Sequence, residues 1–161
     1  MNSDAIVKPF GAEGAAAVIF DDHQRVLLHR RRDFNVWALP GGQIELNETG
    51  EAAATREVCE ETGYAIEIQR LVGEYSRPQM TNGTQLIYVG CVVGGTPIQQ
   101  GPETREVKWF PLNALPLSLP TAHRVVIQDT IANFSKPIKK TIHISFVEAM
   151  IFHVLRWFRD L

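Results

Sequence analysis

Glu57, Glu60 and Glu61 stand three and four residues apart in a stretch, Gly50 to Thr62, that is rich in alanine and glutamate, opens on a Thr-Gly pair and stops at Gly63. These are the marks of a helix closed by a glycine C-cap. At 3.6 residues per turn Glu57 and Glu61 fall one above the other, with Glu60 flanking them on the same side and Ala53 a turn earlier. Ala52, Thr55, Val58, Cys59 and Thr62 gather opposite, so that side is expected to pack on a sheet while the carboxylates point away. Like charges at this spacing destabilise a helix by roughly 0.2–0.5 kcal/mol per pair, and here they also lie near the negative end of the helix dipole. A divalent cation removes the conflict. Carboxylates converging on one point form an all-oxygen site suited to Mg²⁺ or Mn²⁺, with no thiolate or imidazole to favour zinc. Mg²⁺ keeps several waters and takes phosphate oxygens as further ligands, which makes a pyrophosphate the expected guest.

Gly41 and Gly42 precede the helix where the backbone must turn and approach something closely, which a Cβ resists. Arg56 is expected to hold this loop by a fork-shaped pairing with Glu48 or with a loop carbonyl, a role that suits a planar guanidinium. A Glu-rich helix face is ordinarily only solvated. A solvated face, however, has no reason to specify two glycines, an arginine and a distant glutamate at fixed offsets.

Those offsets form one pattern. Gly42, Glu48, Arg56, Glu57, Glu60, Glu61 and Gly63, with Val58 and Tyr64, fit G-x5-E-x7-R-E-U-x-E-E-x-G-U, where U is a large apolar residue. The pattern resembles the Nudix box, entered through Leu39-Pro40-Gly41-Gly42, and the resemblance continues more loosely from about Gly14 to Pro120. Two positions depart from it: Tyr64 replaces the usual aliphatic residue, and Asn47 stands where many members carry glycine. Asn tolerates left-handed backbone angles better than most residues.

The resemblance implies an α/β/α sandwich with a mixed β-sheet and a hydrolase of nucleoside diphosphates linked to another moiety. It implies Mg²⁺ or Mn²⁺ as cofactor, with the Gly41 carbonyl, Glu57, Glu60 and Glu61 as metal ligands. In the family the catalytic base lies in the box or on a later loop, so Glu60 and Glu103 are both candidates here. ADP-ribose hydrolases of the family often carry a proline beyond the box, near where Pro78 falls; nucleoside triphosphates are the rival substrates. A catalytically silent nucleotide-binding module is the alternative, although silent versions should have lost box carboxylates and this chain keeps them. Isomerase chemistry on an isoprenoid diphosphate expects further cysteine and glutamate signatures that are not found.

Elements must position these groups. Ala15 to Phe20 and Arg25 to His29 read as two strands joined by the polar Asp21-Asp22-His23-Gln24 turn, a hairpin in outline. Trp37-Ala38-Leu39 leads into Pro40, which stops regular structure. Ala65 to Tyr75, Thr84 to Val93 and Glu106 to Phe110 read as later strands, giving an α/β layered domain. In the Arg30-Arg31-Arg32 run, strand alternation sends Arg31 to one face and its neighbours to the other. Arg31 and Arg77 are the candidates for the substrate phosphates. Trp37 and Trp109 could stack on a base, but Trp among apolar strand residues is more often core. The five histidines show no ligand spacing.

With 161 residues, 45% of them apolar, one globular domain with an appendage is expected. A net charge of −2 gives no footprint for a nucleic-acid polymer, so the expected partner is a small nucleotide. Cys59 and Cys91 read as buried small hydrophobes. No signal-peptide pattern precedes Gly11 and no apolar run reaches about eighteen residues, so a cytoplasmic protein without membrane insertion is expected. Residues 1–134 are read as the hydrolase domain, with Thr121 to Phe134 helical. Residues 135–161 are read as a C-terminal helical extension. Within it Ile142 to Phe158 carries Phe146, Met150, Val154 and Phe158 at helical spacing, with Val147, Ile151 and Leu155 alongside. This helix must be covered by its own domain, by a second copy in a homodimer or, as the third alternative, by a membrane surface, for which its charges are too mixed to form a strongly basic face.

Overall fold

The computed structural model describes residues 12–80 and 83–159. The stretch ahead of Gly11, and with it the start of the 1–134 unit, lies outside the described residues.

Strand β1 (Ala12–Ile19) is central because it is apolar on both faces. Its Ala15, Ala17 and Ile19 face one core, shared with the box helix, while Ala16 and Val18 face a second core. That period of two makes the sheet a wall between two helical layers. The five-stranded sheet has the order β4-β1-β6-β5-β8, with β4 at Gly41–Gln43, β5 at Tyr64–Ser76, β6 at Thr84–Gly95 and β8 at Ile138–Thr141. It is mixed: β1 and β6 run parallel, as do β5 and β8, whereas β1–β4 and β5–β6 are antiparallel. A second, antiparallel sheet joins β3 (Trp37–Ala38), β2 (Arg25–Arg31) and β7 (Thr104–Pro111). Helix α1 (Gly50–Thr62) covers one face, and α2 (Thr121–Ala132) packs Ala122, Val126 and Ile127 into the other core.

Three sequence expectations change. The β1–β2 hairpin does not form. The turn is tight, with the Asp21 side chain accepting from the backbone of His23 and Arg25, but only Phe20 bridges Val26 before the strands part into different sheets. A strand has two edges, and both edges of β1 are taken by β4 and β6, so β2 must pair elsewhere. The packing side of α1 is also shifted. Its buried residues are Gly50, Ala53, Ala54, Val58, Glu61 and Thr62, whereas Ala52 and Cys59 are exposed. Glu61 therefore points into the protein rather than away from it.

The C-terminal segment is not one helix from Ile142. It enters as β8 along β5, and Ile142 and Ile144 are buried in the core. Helix α3 (Phe146–Arg159) starts later because Ser145 caps it: its hydroxyl accepts from the Glu148 N–H and its carbonyl from the Ala149 N–H. Ala149 is buried, Phe152 meets Phe34 at 6.0 Å between ring centroids, and His153 Nε2 lies 2.9 Å from the Gln79 carbonyl. Phe146, Val147, Met150, Ile151 and Val154 face outward. A cut after Phe134 therefore removes core residues as well as α3. At about 1.5–3 kcal/mol per buried apolar side chain, losing Ile142 and Ile144 should leave that fragment unfolded or insoluble. A cut after Ser145 should stay folded and change oligomeric state or solubility instead. Sedimentation and thermal melting of the two truncations check this; a stable fragment ending at Phe134 would be the contrary result.

Candidate active site

Helix α1 is fixed at both ends by local chemistry. The Thr49 hydroxyl accepts from the Ala52 N–H at 3.1 Å. Gly63 closes the helix at φ 80°, its N–H donating to the Cys59 carbonyl at 2.9 Å. A Cβ on Gly63 would strike the Thr96 carbonyl. Strand β4 crosses in front of α1, and its glycines permit the approach. A Cβ on Gly41 would sit 2.5 Å from the Ala15 carbonyl oxygen, and one on Gly42 would collide with Glu57 Oε1. The Gly41 N–H donates to Glu61 Oε2 at 2.8 Å.

Arg56 uses both of the partners foreseen for it. Its Nε and Nη2 grip the two oxygens of Glu48 at 2.9 and 3.0 Å, and Nη2 also donates to the Gln43 carbonyl at 3.0 Å. Nη1 reaches Glu57 Oε1 at 2.9 Å and Glu60 Oε2 at 3.2 Å. One planar cation thus ties the loop to the helix. Asn47 occupies the left-handed region at φ 64°, which lets the loop carry Glu48 to that fork. Tyr64 is accommodated because its hydroxyl accepts from the Trp109 indole at 3.3 Å.

The carboxylates differ in surroundings. Glu61 is 3% exposed. Burial is the main cause that raises its pKa from 4.5 to about 8; the Gly41 hydrogen bond opposes, and the charges of Glu57 and Glu103 add to the rise. Burial likewise raises Glu57, against the hydrogen bond and charge of Arg56. Glu48 is held below the usual carboxylate range, chiefly by its hydrogen bonds from Arg56. Glu60 turns outward, its side chain 59% exposed.

Among the described residues no three His, Cys, Asp or Glu side chains close into a ready cage, because Arg56 lies between Glu48, Glu57 and Glu60. The donors nevertheless fit a hard divalent cation. Glu61 Oε1 is buried with no hydrogen-bond partner. Glu57 and Glu61 are desolvated and repel one another, and every candidate donor is an oxygen. A cation would satisfy the orphaned oxygen and relieve the repulsion together.

Above these groups opens a cleft of ≈ 600 Å³, the size of a small-molecule site. Gly41, Arg56, Glu57 and Glu60 line it together with Tyr75, Arg77, Gln85, Arg31 and Glu103, the last two brought close by the β2–β7 pairing of Arg31 with Thr104. Glu61 lies beneath the lining, touching it through Gly41. Arg31 is forked onto Asp33 at 2.9 and 2.7 Å. Arg77 has a neutral partner, Gln85 Oε1 at 3.2 Å, and burial lowers its pKa, so it is a desolvated cation without a charged partner among the described residues. Pro78 is exposed in the following turn and is not part of the lining. Trp37 packs edge-on against Phe110 and Trp109 against Tyr64, both away from the cleft. The sequence reading missed His29 and Thr104, which are buried beside Glu61. No local spacing marks them: Thr104 comes beside His29 through the β2–β7 register, in which it stands opposite Arg31, two residues along the strand.

The family pattern described as NUDIX domain matches residues 12–130. A putative 8-oxo-dGTP diphosphatase of Bacillus subtilis is 35% identical over 117 residues, covering 73% of this chain and 78% of that protein. An ADP-ribose pyrophosphatase of Methanocaldococcus jannaschii is 33% identical, with 69% of this chain and 68% of the relative covered. Among solved structures, an ADP-ribose pyrophosphatase from Streptococcus suis superposes with a TM-score of 0.61 at 25% identity, over 80% of this chain and 97% of its own.

Proposed function

The chain belongs to the Nudix family, and we propose that it is a divalent-metal-dependent hydrolase cleaving a pyrophosphate bond in a nucleoside diphosphate linked to another moiety. The substrate is an ADP-ribose-like compound or a nucleoside triphosphate, classes that match the names of the Methanocaldococcus and Bacillus relatives. The observation that carries this reading is the unpartnered Glu61 Oε1 beside desolvated Glu57, under a cleft whose lining includes Arg31 and Arg77.

Glu57, Glu60, Glu61 and the Gly41 carbonyl would hold Mg²⁺ or Mn²⁺, which supplies charge neutralisation of the diphosphate and a lowered pKa for the attacking water. The remaining work belongs to the chain. Arg77 and Arg31 draw the phosphates into the cleft, Arg56 keeps β4 against α1, and Glu60 or Glu103 accepts the proton of the water. The protein acts in the cytoplasm on small nucleotides, and the outward apolar side of α3 is where a homodimer would form.

The two arginines should differ. Asp33 already neutralises Arg31, whereas among the described residues Arg77 donates to an amide oxygen and to no carboxylate. Arg77→Ala is therefore expected to raise KM roughly ten- to hundredfold with kcat nearly kept, the size of one charge-assisted hydrogen bond. Steady-state kinetics on both alanine variants check the ranking; a larger KM effect at Arg31 would reverse it. The function itself is tested by a substrate panel in ¹⁸O-labelled water with product analysis. Labelled nucleoside monophosphate, or labelled sugar phosphate with unlabelled nucleotide, identifies the phosphorus attacked. Absence of phosphoanhydride cleavage from every nucleotide with Mg²⁺ and Mn²⁺ would overturn the proposal.

A further inference from the structure

Two adjacent residues of α3 touch the two segments that carry the cleft's arginines. His153 Nε2 lies 2.9 Å from the Gln79 carbonyl, and the Phe152 ring meets Phe34 at 6.0 Å between centroids. A carbonyl only accepts, so the His153 Nε2 carries a hydrogen and donates it. Gln79 belongs to the turn after β5, in which the Met80 N–H donates to the Arg77 carbonyl at 2.8 Å. Arg77 opens that turn and is bracketed along the chain by the C-terminal extension. On one side of it the Ser76 carbonyl accepts the Ile142 N–H at 2.8 Å, and the Ser76 and Thr141 hydroxyls lie 2.9 Å apart. On the other side Gln79 is held by His153, and its amide nitrogen lies 3.4 Å from His143 Nδ1. Phe34 stands just as close to Arg31. Its N–H donates to Asp33 Oδ1 at 2.8 Å, the oxygen that also accepts from Arg31 Nε, and the Arg31 guanidinium lies over its ring at 5.7 Å from the centroid.

We propose that α3 is a positioning element of the substrate site: His153 fixes the turn that aims Arg77, and Phe152 fixes the Phe34 ring that backs Arg31. The C-terminal extension thereby sets where both guanidinium groups meet the diphosphate. The β5–β6 hairpin cannot do this alone for Arg77, because its ladder ends at the Ser76–Thr84 pair and the turn lies beyond that last rung. The backbone there is held from outside the hairpin, by His153. Placement matters at such a site, since an arginine recognises phosphate through a planar fork and a shift of about 1 Å in a positioning group is costly. Neither Phe152 nor His153 lines the cleft, so each acts through its arginine rather than on the substrate.

This inference rests on the reading of Arg31 and Arg77 as the groups that draw in the phosphates. Binding of the non-cleavable α,β-methylene ADP with Mg²⁺, followed by calorimetry on the full chain, separates the two. His153→Ala and Phe152→Ala are each expected to weaken binding about two- to tenfold, the scale of one hydrogen bond or one aromatic pair. His153→Gln returns an amide N–H toward the Gln79 carbonyl and should bind as the parent does. Phe152→Leu serves if Phe152→Ala does not fold. The couplings carry the decision, because residues that act through one another do not add. His153→Ala should cost nothing further beside Arg77→Ala and its full amount beside Arg31→Ala; Phe152→Ala should show the converse. Parental affinity in either alanine variant, or a loss that persists undiminished beside its own arginine's substitution, would overturn the positioning role and leave the arginines as phosphate-binding groups. Parental affinity in both Arg31→Ala and Arg77→Ala, or an unmodified protein that does not bind the analogue, would remove the phosphate reading and the inference with it.

Discussion

Glu57→Gln and Glu61→Gln are each expected to lower turnover by about 10³-fold while the chain keeps its fold. A metal ion contributes several kcal/mol of transition-state stabilisation and each tenfold in rate is about 1.4 kcal/mol, which sets that scale. EDTA should do the same to the unmodified protein. The fold should survive because neither carboxylate gains from its charge in the metal-free protein. Glu61 makes the stronger case. Its pKa is raised from 4.5 to about 8, mainly by burial. A carboxyl bound to its proton more tightly in the folded chain supports stability fully below the unfolded pKa, and that support is lost as pH rises through the folded one. Metal-free protein should thus melt at a lower temperature at pH 8 than at pH 5. Glu61→Gln should flatten that slope and melt higher than the parent at pH 8. Calorimetry in EDTA at both pH values, with turnover in Mg²⁺, checks both halves. A glutamine variant that melts lower at pH 8, or that retains full turnover, would sink the assignment.

The second large effect concerns the base. Arg56 occupies an oxygen of Glu60, whereas Glu103 lines the cleft with no ion-pair partner among the described residues. Glu103→Gln is accordingly expected to cost on the order of 10²–10⁴ in rate and to remove the acidic limb of the pH–rate profile. Glu60→Gln should instead weaken metal affinity and recover in part at higher Mg²⁺. The reverse pattern would make Glu60 the base, and losses of only a few-fold in both variants would place it elsewhere.

These expectations join features that differ in how far the sequence alone could carry them. The limits of α1 follow from neighbours: Thr49 caps one end, Gly63 the other, and both contacts span three or four residues. The Arg56–Glu48 fork is eight residues long and bridges only the loop before the helix. Sequence spacing reports such contacts because the chain cannot avoid making them. The α/β layering was legible in the order of strands and helices along the chain, and the α/β/α sandwich through the resemblance of the box.

What the sequence did not determine depends on which strand edges meet. Asp21 to Gln24 makes a turn in either case, but whether β1 and β2 pair depends on β4 and β6 having taken both edges of β1. Spacing groups Glu61 with Glu57 as though both pointed to water. The packing of α1 on β1, β5 and β6 fixes which arc of the helix is covered, and with β4 alongside it turns Glu61 inward and leaves Cys59 outward. His29 and Thr104 are 75 residues apart, and they meet Glu61 because β2 and β7 pair beneath the helix. The residue types at the site are therefore written locally. Their burial, and hence the raised pKa of Glu61 and its orphaned oxygen, is a property of long-range closure, since desolvation is set by everything that packs around a group and not by its neighbours in sequence.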